Sequence, residues 1–247
     1  MSEIIKTEAI VLSKLDYRDT SKIANLFTED FGKISVIIKG ARSPKSKTGK
    51  IVDPLNHIRI VYYNKESRDL QFISDTESIN YFPGLKEDID KLKYSYAVIE
   101  LINKLIPDNE SNKKLFSAIV RILNRFNASD ENPVITFGRF LFYFLKEVGF
   151  ELHLEKCPIC GKNDFLTEGV YYSFDKGLIC GKCKGETVYK SEVKKELFNY
   201  LLCLNYNKSA ETFNKNVYSV AINLMEDHLK YHFTEFKGIQ SLTIFQE

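Results

Sequence analysis

The chain of 247 residues carries 35 basic against 33 acidic side chains, and 44% of its residues are apolar, with 18 Phe, 14 Tyr and no Trp. This balance of charge and richness in aromatics exclude a disordered chain, and no stretch reaches the ~18 consecutive apolar residues of a membrane span. Glu3 and Glu8 interrupt the apolar core that an export signal would need, so the chain reads as cytoplasmic, where five cysteines point to metal or buried thiols and not to bridges.

Five strand-like segments come first. Thr7–Lys14 and Lys22–Thr28 alternate, and Lys33–Lys39 places Ile34, Val36 and Ile38 on one face. Ile58–Tyr63 and Leu70–Ile73 follow, with turn signals at Phe31-Gly32, Gly40, Ser43-Pro44, Asp53-Pro54 and Asn64. Five short strands in some eighty residues suit a small closed barrel of the OB type.

Charge is unevenly spread along this region. Residues 1–50 hold ten basic against six acidic side chains, and residues 51–90 hold four against eight. From Lys33 to Lys50 the cations Lys33, Lys39, Arg42, Lys45, Lys47 and Lys50 occur without a carboxylate. A solvated loop that keeps the protein soluble is the plain alternative to a polyanion-binding face. The barrel context favours the second, with phosphate as partner, and Arg18 and Lys22 join the set if their strand lies beside Lys33–Lys39. The segment Gly40–Gly49, made of Gly, Ala, Arg, Ser, Pro, Lys and Thr, is expected to be a loop that does not pack into a core.

From about Pro83 the apolar period changes from two to 3.6. Helices are expected at Asp88–Ile106, Ser111–Phe126 and Val134–Val148, the last apolar almost all round and opened by Asn132-Pro133. Two more are expected at Ser191–Leu204 and Asn214–Phe233.

Between these helices lie Cys157-Pro-Ile-Cys160-Gly and Cys180-Gly-Lys-Cys183. Two CxxC pairs can complete one tetrahedral shell of thiolates at ~2.3 Å, so Cys157, Cys160, Cys180 and Cys183 are read as ligands of one structural Zn2+ per chain. Gly161 and Gly181 suit the tight turns around each pair, and Tyr171–Phe174 and Leu178–Ile179 read as strands of a zinc ribbon. A redox dithiol is the alternative, but it needs one pair in a thioredoxin-like setting. With four protein ligands no position is left for water, which argues against catalytic zinc. Cys203 reads as a small buried hydrophobe.

Three enzyme signals fail. His153-Leu-Glu155 resembles the start of a zinc deaminase pattern, yet neither Cys157 nor Cys180 follows a proline. His228 and His232 share a helix face without the Glu of a HExxH protease, and a packing role is the simpler reading. Gly49-Lys50 and Gly181-Lys182 lack the Ser or Thr of a P-loop.

Several segments together resemble the RecO recombination-mediator family: Tyr17-Arg-Asp-Thr-Ser-Lys-Ile23, Leu26-Phe-Thr28, Phe31-Gly-Lys-Ile-Ser-Val36 and Lys39-Gly-Ala-Arg-Ser-Pro-Lys45. Phe140-Leu141, Leu145 and Gly149-Phe150 leading into Cys157, and the tail Leu229, His232, Lys237 and Ser241, extend the resemblance over the chain. It implies an α+β multidomain protein with an N-terminal five-stranded OB-fold barrel (residues 1–80), a helical domain (81–152 and 189–247) and an inserted four-cysteine zinc ribbon (153–188). It further implies a non-enzymatic protein of the bacterial cytoplasm, at the nucleoid. Such a protein binds single- and double-stranded DNA, anneals complementary strands and, with RecR, helps load RecA on strands coated by single-strand-binding protein, whose acidic C-terminal tail is a further partner. An RNA- or ribosome-associated OB and zinc-ribbon protein is the alternative that the basic segment fits equally.

Overall fold

The computed structural model describes residues 3–65, 67–163, 165–208 and 213–244. The chain divides into two compact units, Met1–Asp130 with Ser241–Glu247, and Glu131–Gln240.

In the first unit, β1 (Glu3–Tyr17), β2 (Ser21–Thr28) and β3 (Gly32–Ile38) form a meander. A short helix α1 (Lys47–Ile51) follows, then β4 (His57–Asn64) and β5 (Leu70–Asn80). The strands close in the order β1-β2-β3-β5-β4, antiparallel except for β3 against β5. This is the OB-type barrel expected from the alternation. β1 is long enough to pair with β4 through Glu3–Ile10 and with β2 through Ala9–Tyr17, and a bulge between Val11 and Ser13 bends it from one neighbour to the other. The interior is aliphatic, with Ile5, Val11, Leu26, Ile34, Val36, Ile38, Ile58 and Ile60 around Tyr62.

The Gly40–Gly49 expectation needs correction. Ser46 caps α1 by accepting a hydrogen bond from the Gly49 amide at 3.1 Å, and Ala41 and Val52 are buried in the barrel core with Ile51 packed against it. Two small residues make this possible: a Cβ at Gly49 would lie 2.2 Å from the Ala41 carbonyl oxygen. The connection therefore plugs one end of the barrel while its lysines stay outside. β5 also runs seven residues beyond the expected Ile73, because its second half (Ser74–Asn80) is polar and shows no apolar alternation.

Helix α2 (Ile89–Leu105) starts at Asp88, whose carboxylate accepts from the amides of Asp90 and Lys91. Helix α3 (Lys113–Ala128) starts at Asn112 and buries Leu115, Ile119, Ile122 and Phe126. The α2–α3 link straps the lower edge of β3: the Asn109 amide donates to the Lys33 carbonyl at 2.9 Å, and Gly32 lies against the Glu110 backbone. Near the C-terminus the Ser241 amide and hydroxyl donate to Glu100 Oε2 at 2.8 and 2.6 Å.

In the second unit, α4 (Pro133–Glu147) begins at the Asn132 cap and buries nine residues, including Phe137, Phe140, Leu141, Phe144 and Leu145. A short helix α5 (Phe165–Glu168) leads to β6 (Val170–Ser173) and β7 (Gly177–Cys180), and β8 (Ser191–Val193) completes a small sheet ordered β7-β6-β8. The expected helix from Ser191 is therefore a strand followed by α6 (Lys195–Asn205), because Ser191–Val193 pairs with β6. Helix α7 (Lys215–His232) packs with α4 and α6.

Candidate functional site

Two features carry chemistry: the cationic end of the barrel, and the four thiols of the second unit. The β1–β2 turn, the end of β3 and α1 meet at one end of the barrel, where the Arg42 amide donates to the Thr20 carbonyl at 3.0 Å. The Arg42 contacts, Asp16 and the β2–β3 register place Arg18, Lys22, Lys39 and Arg42 near one another, and Lys45, Lys47 and Lys50 follow on the connection from β3 to β4. Lys33 is not with them. It lies six residues back along β3 from Lys39, roughly 20 Å away, with its ammonium donating to the Asn103 carbonyl at 2.7 Å and paired to Asp108 at 3.1 Å.

Acids from elsewhere hold two more of the cations. Asp16 of β1 lies 3.7 Å from Lys22 and 3.4 Å from Arg42. Arg42 also donates to the Arg18 carbonyl at 2.9 Å, and the Arg18 guanidinium lies 5.2 Å over the Tyr17 ring. Lys39, Lys45, Lys47 and Lys50 are exposed and make no ion pair among the described residues. Like-signed neighbours without counter-charge favour an anionic ligand.

Sequence reasoning missed what stands beside Lys39. Its ammonium lies 4.8 Å over the ring of Phe72 on β5, and the Arg68 guanidinium, from the β4–β5 loop, lies 5.3 Å over the same ring. Phe72 is one of a row of outward residues, each opposite the next in register: Leu15, Ile23, Ile37, Phe72, Tyr63 and Ile4. Leu15, Tyr63 and Ile4 are 54%, 42% and 65% exposed. A half-buried ring with two cations, beside an exposed Tyr, offers bases a stacking surface and phosphates a charge. Arg68 was hidden in a net acidic segment, and nothing in the sequence announces that β5 runs parallel beside β3.

Cys157 and Cys160 lie on the loop after α4, Cys180 ends β7 and Cys183 sits in the tight turn that follows. The four Sγ atoms lie within 4.8 Å of one another, and Cys160 and Cys180 are 3.8 Å apart. That is far beyond a disulfide and close to the ~3.8 Å edge of a sulfur tetrahedron with ~2.3 Å bonds. Gly161, at φ +70°, turns the first knuckle, its amide donating to the Cys157 carbonyl at 2.8 Å. Gly181 makes a close approach instead: a Cβ there would lie 1.9 Å from the Glu168 carbonyl oxygen.

Burial pushes the Cys180 and Cys183 thiols up, and the neighbouring cysteines add to this. Burial acts the same way on Cys157, but backbone amides of Cys160, Cys180 and Ile159 outweigh it and bring that thiol down to about 7. Four thiolates this close need a central cation, and soft sulfur donors in a tetrahedron suit a zinc-like ion. Cys203, half-buried on α6, stands apart from the cluster.

His228 and His232 serve packing. His228, 3% exposed, meets the Tyr172 hydroxyl at 3.2 Å through Nδ1, and the His232 ring stacks on Phe150 with centroids 4.0 Å apart. The pair thus ties the small sheet and the end of α4 to α7. Burial holds both below the ordinary imidazole range, His228 at about 4. Glu155 accepts from the Tyr206 hydroxyl at 2.8 Å and is not part of the sulfur cluster. No helix among the described residues is long and apolar enough to cross a membrane.

Comparison with known proteins bears on both features. The family model described as Recombination protein O N terminal matches residues 1–82, and the one described as Recombination protein O C terminal matches residues 86–237. The DNA repair protein RecO of Pelodictyon phaeoclathratiforme is 27% identical across 99% of this chain and 98% of its own length. Its namesake from Chlorobium limicola is 36% identical over 64% of this chain, a match that spans 61% of that protein. The one from Prosthecochloris aestuarii is 30% identical over 70% of this chain and 69% of its own length.

Proposed function

Because the chain belongs to the RecO family of DNA repair proteins, we propose that it is a recombination mediator without catalytic activity. In this reading it binds single- and double-stranded DNA and anneals complementary strands. With RecR it helps RecA replace single-strand-binding protein, whose acidic C-terminal tail it engages. It does this in the bacterial cytoplasm, at the nucleoid.

The observation that carries this is the placement of Lys39 and Arg68 over Phe72, with Lys45, Lys47 and Lys50 exposed in the segment that follows β3. Phosphates are drawn to the ammonium and guanidinium groups, and bases leave water for the Phe72–Tyr63 surface, each stack contributing ~1–3 kcal/mol. Phosphate contacts carry no sequence information, so strands of any sequence are accepted. Annealing follows when bound strands, their charge screened, are held with base edges free to pair. The four cysteines hold one Zn2+, which fixes the knuckles around the small sheet and takes no part in a reaction.

The test is a strand-annealing assay with two complementary oligonucleotides, bare and coated with single-strand-binding protein. Acceleration in both arms is expected, with loss in the double variant Lys39→Glu/Arg68→Glu. Failure to accelerate annealing of bare strands, or a clear preference for RNA over matched single-stranded DNA in competition, overturns the proposal.

A further inference from the structure

The four thiols of the second unit are not equivalent. Cys157, Cys180 and Cys183 are 0%, 0% and 2% exposed, whereas Cys160 is open to solvent. With a cation at the centre all four are thiolates, so acidity does not distinguish them and access does.

The two knuckles differ in the same sense. The second is locked: Cys180 ends β7, opposite Val170 of β6, and Gly181 lies against the Glu168 backbone. The first lies on the surface, with Lys156, Pro158, Gly161 and Lys162 exposed around Cys160 and open space beside Gly161. Lys156 and Lys162 make no ion pair among the described residues, while Glu155 accepts from the Tyr206 hydroxyl at 2.8 Å. An exposed thiolate with lysines on either side in the chain is a setting in which cysteines are oxidised.

A second thiol already stands in reach. Cys180 Sγ is 3.8 Å from Cys160 Sγ, against the ~2.0 Å of a disulfide. The open space at Gly161 leaves the first knuckle room to make up the difference.

We propose that Cys160 is an oxidation site through which a peroxide opens the cluster. Its sulfur attacks one peroxide oxygen, the O–O bond breaks, hydroxide leaves and Cys160 becomes a sulfenic acid. The Cys180 thiolate then attacks that sulfur and displaces a second hydroxide, forming the Cys160–Cys180 disulfide. Two electrons pass from the two sulfurs to the peroxide, and two of the four metal ligands are consumed. The cluster then no longer holds its ion, and a covalent link between the knuckles stands in its place until a thiol reductant cleaves it. The inference rests on the structural zinc proposed above and adds a reversible, oxidant-driven release of it.

The test uses the full chain loaded with zinc, hydrogen peroxide as oxidant and a chromogenic chelator that reads released metal. Brief exposure in the presence of a dimedone trap, followed by peptide mass spectrometry, is expected to mark Cys160 first. Longer exposure without the trap is expected to give the Cys160–Cys180 link together with loss of zinc, and dithiothreitol with fresh zinc should restore the metal content. Cys160→His offers a nitrogen ligand to the same shell. It is expected to keep zinc and to release it about tenfold more slowly, because the three sulfurs left are buried. If that variant binds no zinc, the order of trapping in the native sequence decides alone. Cys203→Ser should release zinc as the native sequence does. Marking of a buried cysteine before Cys160, a different disulfide, equal release from zinc-loaded Cys160→His, or no release at all overturns the proposal and leaves the zinc reading standing. A purified chain that binds no zinc overturns both.

Discussion

Lys39 and Phe72 meet across the one parallel seam of the barrel, the ammonium 4.8 Å from the ring centroid. Lys33, on the same strand, is held instead by Asp108 at 3.1 Å with its side chain 15% exposed. The two lysines should therefore answer salt differently. Replacing Lys39 and Arg68 together by Ala is expected to lower single-strand affinity and to reduce the log–log salt slope by up to ~1.4, because two phosphate contacts are lost. Lys33→Ala should leave that slope unchanged. A slope shift in the Lys33 variant equal to that of the pair would put the strand along the wrong part of β3.

Cys157→Ser and Cys183→Ser are each expected to abolish metal binding by the cluster and to destabilise the second unit by several kcal/mol, the scale usual for structural thiolate sites. Cys203→Ser should do neither. Metal content by atomic spectroscopy, with the melting temperature of each variant, checks this. Full occupancy in Cys183→Ser would show that the cluster does not bind as a four-thiolate shell.

His228 gives the stability a pH dependence whose sign is fixed. In the fold its imidazole is held near 4, against an ordinary value of 6.5, so between these values the unfolded chain binds a proton that the native state refuses. The stabilisation is complete above pH 6.5 and is lost as pH falls toward about 4, at up to ~1.4 kcal/mol per pH unit. Urea midpoints from pH 7 to 4.5 should fall more steeply for the native sequence than for His228→Gln. Parallel curves would remove His228 as the cause.

Glycines at positive φ separate strain from crowding. Gly40 has φ +66° and open space around it, so Gly40→Ala should cost about 1 kcal/mol. Gly32 has φ +67° and a Cβ there would fall 2.1 Å from the Glu110 carbonyl oxygen, so Gly32→Ala must displace the α2–α3 strap and should cost roughly 2–4 kcal/mol. Equal melting temperatures for the two variants would mean that the strap yields freely.

Local signals in the sequence located the elements well. Alternation through Ile34, Val36 and Ile38 marks β3, Asn132-Pro133 marks the start of α4, and two CxxC pairs mark the cluster. What could not be read was long-range. No local rule brings Asp16 to Arg42, Asp108 to Lys33 or Phe72 beneath Lys39, because each contact depends on strand register or on a strap some seventy residues away. The burial of Gly49 against Ala41 was equally hidden, since a segment of small and charged residues looks the same whether it is solvated or folded back on itself. The thiol site was legible because its spacing is local, whereas the cationic site was legible in composition and illegible in geometry.

The strap over β3 also limits how the protein can be divided. A fragment ending at Asn80 would keep all five strands yet leave the Lys33 carbonyl without the Asn109 amide and the Lys33 ammonium without Asp108. Its bare strand edge would be free to recruit a neighbouring molecule, so excision of the barrel alone invites self-association, and the smallest sound cut falls after α3.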